Sequence, residues 1–154
     1  MKISRSAGGV ALVELAVALP VLIAVLVGVA DLARVFYYSI EVTAAARAGA
    51  QYAAFSTGHA TQTANIRAAA QSAAPNIGIV AANVTPGAPV CVCAANDGSG
   101  QPWSTVSCSS SCGTGHLMET VTVTVTRTFT TLARIPGIPS TLTLSRSVTM
   151  RVSL

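Results

Sequence analysis

Apolar and polar positions follow three different rhythms along this chain. From Val10 to Ala30 the only hydrophilic side chain is Glu14. At about 1.5 Å of helical rise per residue this run extends roughly 31 Å, the thickness of a bilayer's hydrocarbon core. The next stretch, 31–55, is free of proline and rich in alanine from Ala44 onward, which predicts that the helix continues to Phe55. Ser56-Thr57-Gly58 ends it. A second helix is predicted over 61–74, stopped by Pro75, with a shallow apolar face supplied by Ala64, Ala68 and Ser72 and by Ile66, Ala69 and Ala73.

Beyond Pro75 the period changes to two. Glu119–Phe129 alternates strictly, with Val121, Val123 and Val125 on one side and Thr120, Thr122, Thr124 and Thr126 on the other. Thr141–Val152 alternates again, placing Leu142, Leu144, Val148, Met150 and Val152 together. Arg146 interrupts that apolar side, either as half of a pair or as the mark of a sheet edge. Residues 135–140 connect the two runs. Gly78–Val84 is a shorter strand candidate broken by Thr85–Pro89, and Val90–Ala94 can resume an extended path. The expected fold is α+β. A long N-terminal transmembrane and stalk helix leads to a small domain with one further helix, a three- to four-stranded antiparallel sheet and a disulfide-tied loop. The expected organisation is a cytoplasmic leader at 1–9, a transmembrane helix at 10–30, a stalk at 31–55 and an exported domain at 56–154 containing the cysteine loop 91–112.

Composition narrows the functional classes. Hydrophobic residues make up 51% of the chain but aromatics only 5%, so the domain is short of large core side chains and benefits from staples. The formal charge of +4 includes Lys2 and Arg5 ahead of the apolar run, and no basic cluster remains beyond them. Nucleic-acid binding therefore lacks an electrostatic footprint. Lys2 and Arg5 orient the helix with its N-terminus in the cytoplasm and the rest exported. Asp31 and Arg34 mark the exit from the bilayer, and Phe36, Tyr37 and Tyr38 form an aromatic belt there. Pro20 shapes the helix rather than supplying chemistry.

The head of the chain then carries a resemblance. Gly9, Glu14 four residues after Val10, and an apolar helix preceded by basic residues look like a type IV prepilin cleavage site. Gly9-Val-Ala-Leu-Val-Glu14, Leu19-Pro20, Gly28, Asp31, Arg34, Phe36-Tyr37 and the stretch Ala44–Ala53 more closely resemble the TadE/TadG-like pseudopilins of the tight-adherence (Flp) pilus system. Family members often carry an aromatic residue where this chain has Leu15. The resemblance implies cleavage between Gly9 and Val10 by a prepilin peptidase. It also implies residence in a bacterial inner membrane with a periplasmic domain, and partnership with other pilins and pilus-assembly proteins. The role of Glu14 has an independent physical logic: a carboxylate within an apolar span is expensive unless paired. The new ammonium on Val10 of one subunit can pair with Glu14 of a neighbour and set axial register. The blander reading lets Glu14 reach the headgroup layer near the helix end. For the alanine-rich stretch, helix propensity alone is a sufficient explanation; the sharper reading is a face packed on the domain or on another subunit.

Cys91, Cys93, Cys108 and Cys112 form an even set beyond an exported anchor, which reads as disulfides in an oxidising compartment. A bond between Cys91 and Cys93 is disfavoured by their spacing, leaving two cross-pairings between the 91/93 and 108/112 pairs. A zinc site of four thiolates, or of three with His116, departs from the usual ligand spacing. Thiol–disulfide catalysis prefers Cys-x-x-Cys at a helix start. His59 stands in a turn as a surface histidine. No nucleophile–base set, phosphate loop or acidic dyad is visible, so no metal, cofactor or small-molecule substrate is expected, and the reading is non-enzymatic.

Overall fold

A computed structural model describes residues 7–94, 104–113, 115–132 and 139–153. Lys2, Arg5, Asp97 and most of the 135–140 connection lie outside the described residues. Helix α1 runs unbroken through Ala7–Ala54, with Pro20 inside it. It is followed by a single turn, α2 (Thr57–Ala60), and by α3 (Thr63–Ala73). The strands are β1 (Val84–Pro86), β2 (Val90–Ala94), β3 (Ser104–Val106), β4 (His116–Thr130) and β5 (Thr141–Arg151). The α+β architecture is the expected one, with five described strands rather than three or four. The addition is β3 in the cysteine region, a three-residue strand too brief to read from sequence, while β2 coincides with the extended path expected at Val90–Ala94.

All pairings are antiparallel, and β4 is the centre. One edge of β4 takes β5 along residues 120–130. Its other edge takes β2 at residues 116–120 and β1 at 123–125, and β3 adds outside β2. The inner face carries Val121, Val123, Val125 and Phe129, with Leu144 from β5 and Val152 just beyond it, all buried against α1 and α3. The outer face is a ladder of hydroxyls: Thr122 with Thr149 at 2.7 Å, Thr124 with Ser147 at 2.8 Å and Thr126 with Ser145 at 3.3 Å. The Val-Thr repeat thus supplies apolar packing on one side and cross-strand hydrogen bonds on the other.

The upper half of α1 is part of this core. Val42, Ala45, Ala46, Ala50 and Ala53 are buried, so the alanines do more than favour helix: their small side chains admit the sheet and α3. Gly49 marks the closest approach. A Cβ there would lie 3.1 Å from Val123 Cγ1 and 3.4 Å from both Ala70 and Ile66. On α3 the buried face is Ile66 and Ala70, continued by Ala74, while Ala64, Ala68 and Ser72 are exposed. The expected face was thus displaced: anchoring the helix through Ile66 turns the i+4 series inward and the Ala64 series to solvent.

The first strand candidate also moves. Residues 81–83 form a 3₁₀ turn because Asn83 Oδ1 accepts from the Val80 amide at 2.9 Å and the Asn83 amide donates back to Val80 O at 2.9 Å. Extended pairing begins at Val84 and includes Pro86, which is tolerated on an edge strand. At the far end, the Ser153 amide donates to Ala54 O at 2.9 Å and closes the last turn of α1.

Candidate functional site

Glu14 projects from a helix segment and has no hydrogen-bond or ion-pair partner among the described residues. Gly9 through Leu26 are all exposed, including Val10, Leu12, Val13, Leu15, Val17 and Leu22. Gly9 and Val10 lie in the first turn of α1, and Val10 and Glu14 are one turn apart on the same face. Val13, Val17, Ala18, Val21 and Leu22 flank the carboxylate in a shallow apolar groove. The segment is long and apolar enough to cross a membrane. So large an uncovered apolar surface on one helix requires lipid or another protein around it. A carboxylate in that setting attracts a cation strongly and directionally.

The exit from the apolar run is tied to the domain. Arg34 Nη1 lies 3.1 Å from Asp31 Oδ1, and the Leu132 amide donates to both Asp31 carboxylate oxygens at 3.0 Å. The Arg34 guanidinium stands over the Phe129 ring, 4.9 Å from its centroid, and Tyr38 meets the same ring edge-on at 5.3 Å. The end of β4 is therefore held at the level of Asp31. Sequence reading placed Asp31 and Arg34 at the membrane exit but missed this connection, because its partner is a backbone amide 101 residues away.

Arg146 resolves as an edge device. Its Nη1 donates to Ser145 O at 3.0 Å and its Nη2 donates to Ser39 Oγ on α1 at 3.0 Å. Among the described residues β5 pairs only with β4, so its other side is an open edge. A charge on the inward face of such a strand hinders further strand addition. His59 is half-buried: its Nδ1 lies 2.7 Å from Ser56 Oγ and its ring packs edge-on to Tyr52 and Phe55. Sequence also gave no sign that Glu41 Oε2 and Arg127 Nε are buried without a hydrogen-bond partner among the described residues.

The cysteines pair as Cys91–Cys108 and Cys93–Cys112, with Cα separations of 5.1 and 5.5 Å. One of the two open cross-pairings is thereby selected. The β2–β3 register sets Cys91 opposite Val106 and Cys93 opposite Ser104, so the chain leaving β3 reaches Cys91 before Cys93. No described cysteine is free. No group of three or more metal-ligating side chains occurs among the described residues.

The exposed apolar helix with its lone carboxylate is also where comparison with known families gives a result. Residues 9–51 match the family model of TadE-like proteins. The TadE-like stretch contains Gly9, Glu14, Asp31 and Arg34 and ends before α3, the sheet and both disulfides. Comparisons with curated proteins and with solved structures returned no match. The TadE-like likeness thus belongs to the helix, and the domain's chemistry has to be read from its own residues.

Proposed function

We propose that this chain is a non-enzymatic minor pilin or pseudopilin that takes part in assembling a tight-adherence pilus. The observation carrying the proposal is the coincidence of the TadE-like match with a solitary Glu14 on the exposed apolar segment Gly9–Leu26 of α1. Before assembly the helix sits in the inner membrane with the disulfide-bearing domain on the periplasmic side. Prepilin peptidase cuts between Gly9 and Val10. The new Val10 ammonium and Glu14 then share one helix face, where each can meet its opposite on a neighbouring pilin. In a low-dielectric helix bundle a one-turn misregister leaves both charges unpaired, so the pair sets axial spacing.

The test is the intact mass of membrane-extracted protein, produced with and without a co-expressed prepilin peptidase. A species beginning at Val10 only when the peptidase is present supports the proposal. Retention of Met1–Gly9 under both conditions overturns the mechanism. It would favour the second reading, a membrane-anchored adhesion or envelope-assembly module that never enters a fibre.

A further inference from the structure

We propose that the lower rim of the domain, at Leu132 and the exposed side chains of α1 at its height, is a second membrane contact lying in the interfacial layer of the bilayer. The proposal rests on the reading of residues 10–30 as a bilayer span, and its height follows from one contact. Asp31 is the first residue beyond that span, and its carboxylate receives the Leu132 amide through both oxygens. The end of β4 is therefore fixed at the bilayer boundary rather than being held away from it. Headgroup layers add about 5–8 Å on each side of the hydrocarbon, and five helical residues rise about 8 Å, so the layer reaches from Asp31 to Phe36.

The surface at this level suits a lipid interface. Leu132 is 64% exposed and Phe36 62%, with Leu32 and Tyr37 exposed at the same height along α1. Among the described residues at this height the charges are Asp31 and Arg34, which neutralise each other. Arg34 is further occupied by the Phe129 ring. Aromatic residues with one apolar side favour the interfacial region, and a matched ion pair lowers the cost of approaching it. Leu32 and Phe36 continue the exposed apolar surface of the span, and Leu132 is held at their level, which identifies the occupant as lipid rather than a separate partner. The domain consequently sits on the membrane with its sheet rising from the surface, and leaves that surface only when the helix is extracted.

The experiment uses the full chain in vesicles at low protein-to-lipid ratio, with fluorescence quenching as readout. Trp103, the single tryptophan, is replaced by Phe, and one probe is introduced at a time: Leu132→Trp, Phe55→Trp or Leu22→Trp. Phe55 is 73% exposed and lies about 36 Å along the helix from Asp31, well above any lipid. Circular dichroism and intact disulfides confirm folding of each variant. The expected result is quenching of the Leu132→Trp probe by lipids brominated near the glycerol, blue-shifted emission, and acrylamide quenching severalfold weaker than for Phe55→Trp. Leu22→Trp should respond to lipids brominated deep in the chain. Quenching of Leu22→Trp by bromine but not of Leu132→Trp overturns the rim contact and leaves the anchor intact. Shielding of Leu132→Trp from acrylamide without bromine quenching assigns the rim to protein and also overturns the proposal. A Leu22→Trp probe that bromine does not quench removes the membrane span and the rim together.

Discussion

The two halves of α1 follow opposite rules of side-chain size. Below Asp31, the large residues Val, Leu and Ile are exposed, apart from half-buried Val27. Above Tyr38, the side chains turned to the core are chiefly Ala, with Gly49 at the tightest point. One continuous helix thus presents bulk where its surroundings are external and smallness where they are its own domain. Lipid or a neighbouring helix can adapt to protruding side chains, whereas a valine-rich sheet approaches a helix closely only over small ones. The lower half can therefore change surroundings while the upper half holds the fold constant. On the proposed function, this separation would let a subunit pass from bilayer to fibre without refolding.

The largest effect expected from this division is a change in assembly with no change in folding. Glu14→Ala should abolish incorporation into pili while leaving the domain's unfolding free energy within about 0.5 kcal/mol, as for an exposed substitution. Shear-fraction immunoblots and denaturant melts of the detergent-solubilised protein measure the two sides. Normal fibre incorporation of the variant would remove register setting from Glu14. The opposite behaviour is expected where the halves meet. Phe129 is 1% exposed and packs against Tyr38 and Arg34, so Phe129→Ala should cost about 4 kcal/mol in the same melts. A cost below about 1 kcal/mol would show that the lower seam is not part of the cooperative core.

Much of this was legible in sequence because it rests on long periodic runs. The apolar stretch from Val10 and the Val-Thr alternation of β4 each extend over ten residues or more, and both appear as expected. Short elements were less legible. The Gly78–Val84 candidate has strand-like composition, but the Asn83–Val80 hydrogen bonds close a turn there and delay pairing to Val84. Long-range choices were not legible at all. The pairing of Cys91 with Cys108 depends on the β2–β3 register, and the Asp31–Leu132 contact depends on where a 15-residue strand ends. The roles proposed for Gly9, Val10 and Glu14 are of another kind, since they would depend on a peptidase and a neighbouring subunit.

Two glycines sharpen the comparison within α1. A Cβ at Gly28 meets nothing within 4 Å, whereas one at Gly49 presses on β4 and α3 together. Gly49→Leu should therefore destabilise the domain by about 2–3 kcal/mol through overpacking, and Gly28→Leu should leave its melting unchanged. Equal melting curves for the two variants would mean that the Gly49 junction relaxes freely.

The smallest expected effect on stability concerns the edge that the core leaves open. The amides of Val152 and Thr131 donate inward, to Glu119 O and Ser140 O respectively. In an antiparallel ladder this turns the amides and carbonyls of Thr143, Ser145, Ser147 and Thr149 outward. Ser145 O is covered by Arg146, which also reaches Ser39. Exposed hydrogen bonds of this kind contribute little, so Arg146→Ala should cost less than about 1 kcal/mol. It should nevertheless increase concentration-dependent association, because the obstructing charge is gone and a carbonyl in the middle of the edge is free to accept another strand. Arg146→Lys retains charge but not the forked pair of contacts, and should fall between the two. Sedimentation velocity over a concentration series would measure this. If Arg146→Ala stays as monodisperse as the parent while its stability falls by several kcal/mol, Arg146 is a brace between α1 and β5 rather than a guard of the edge.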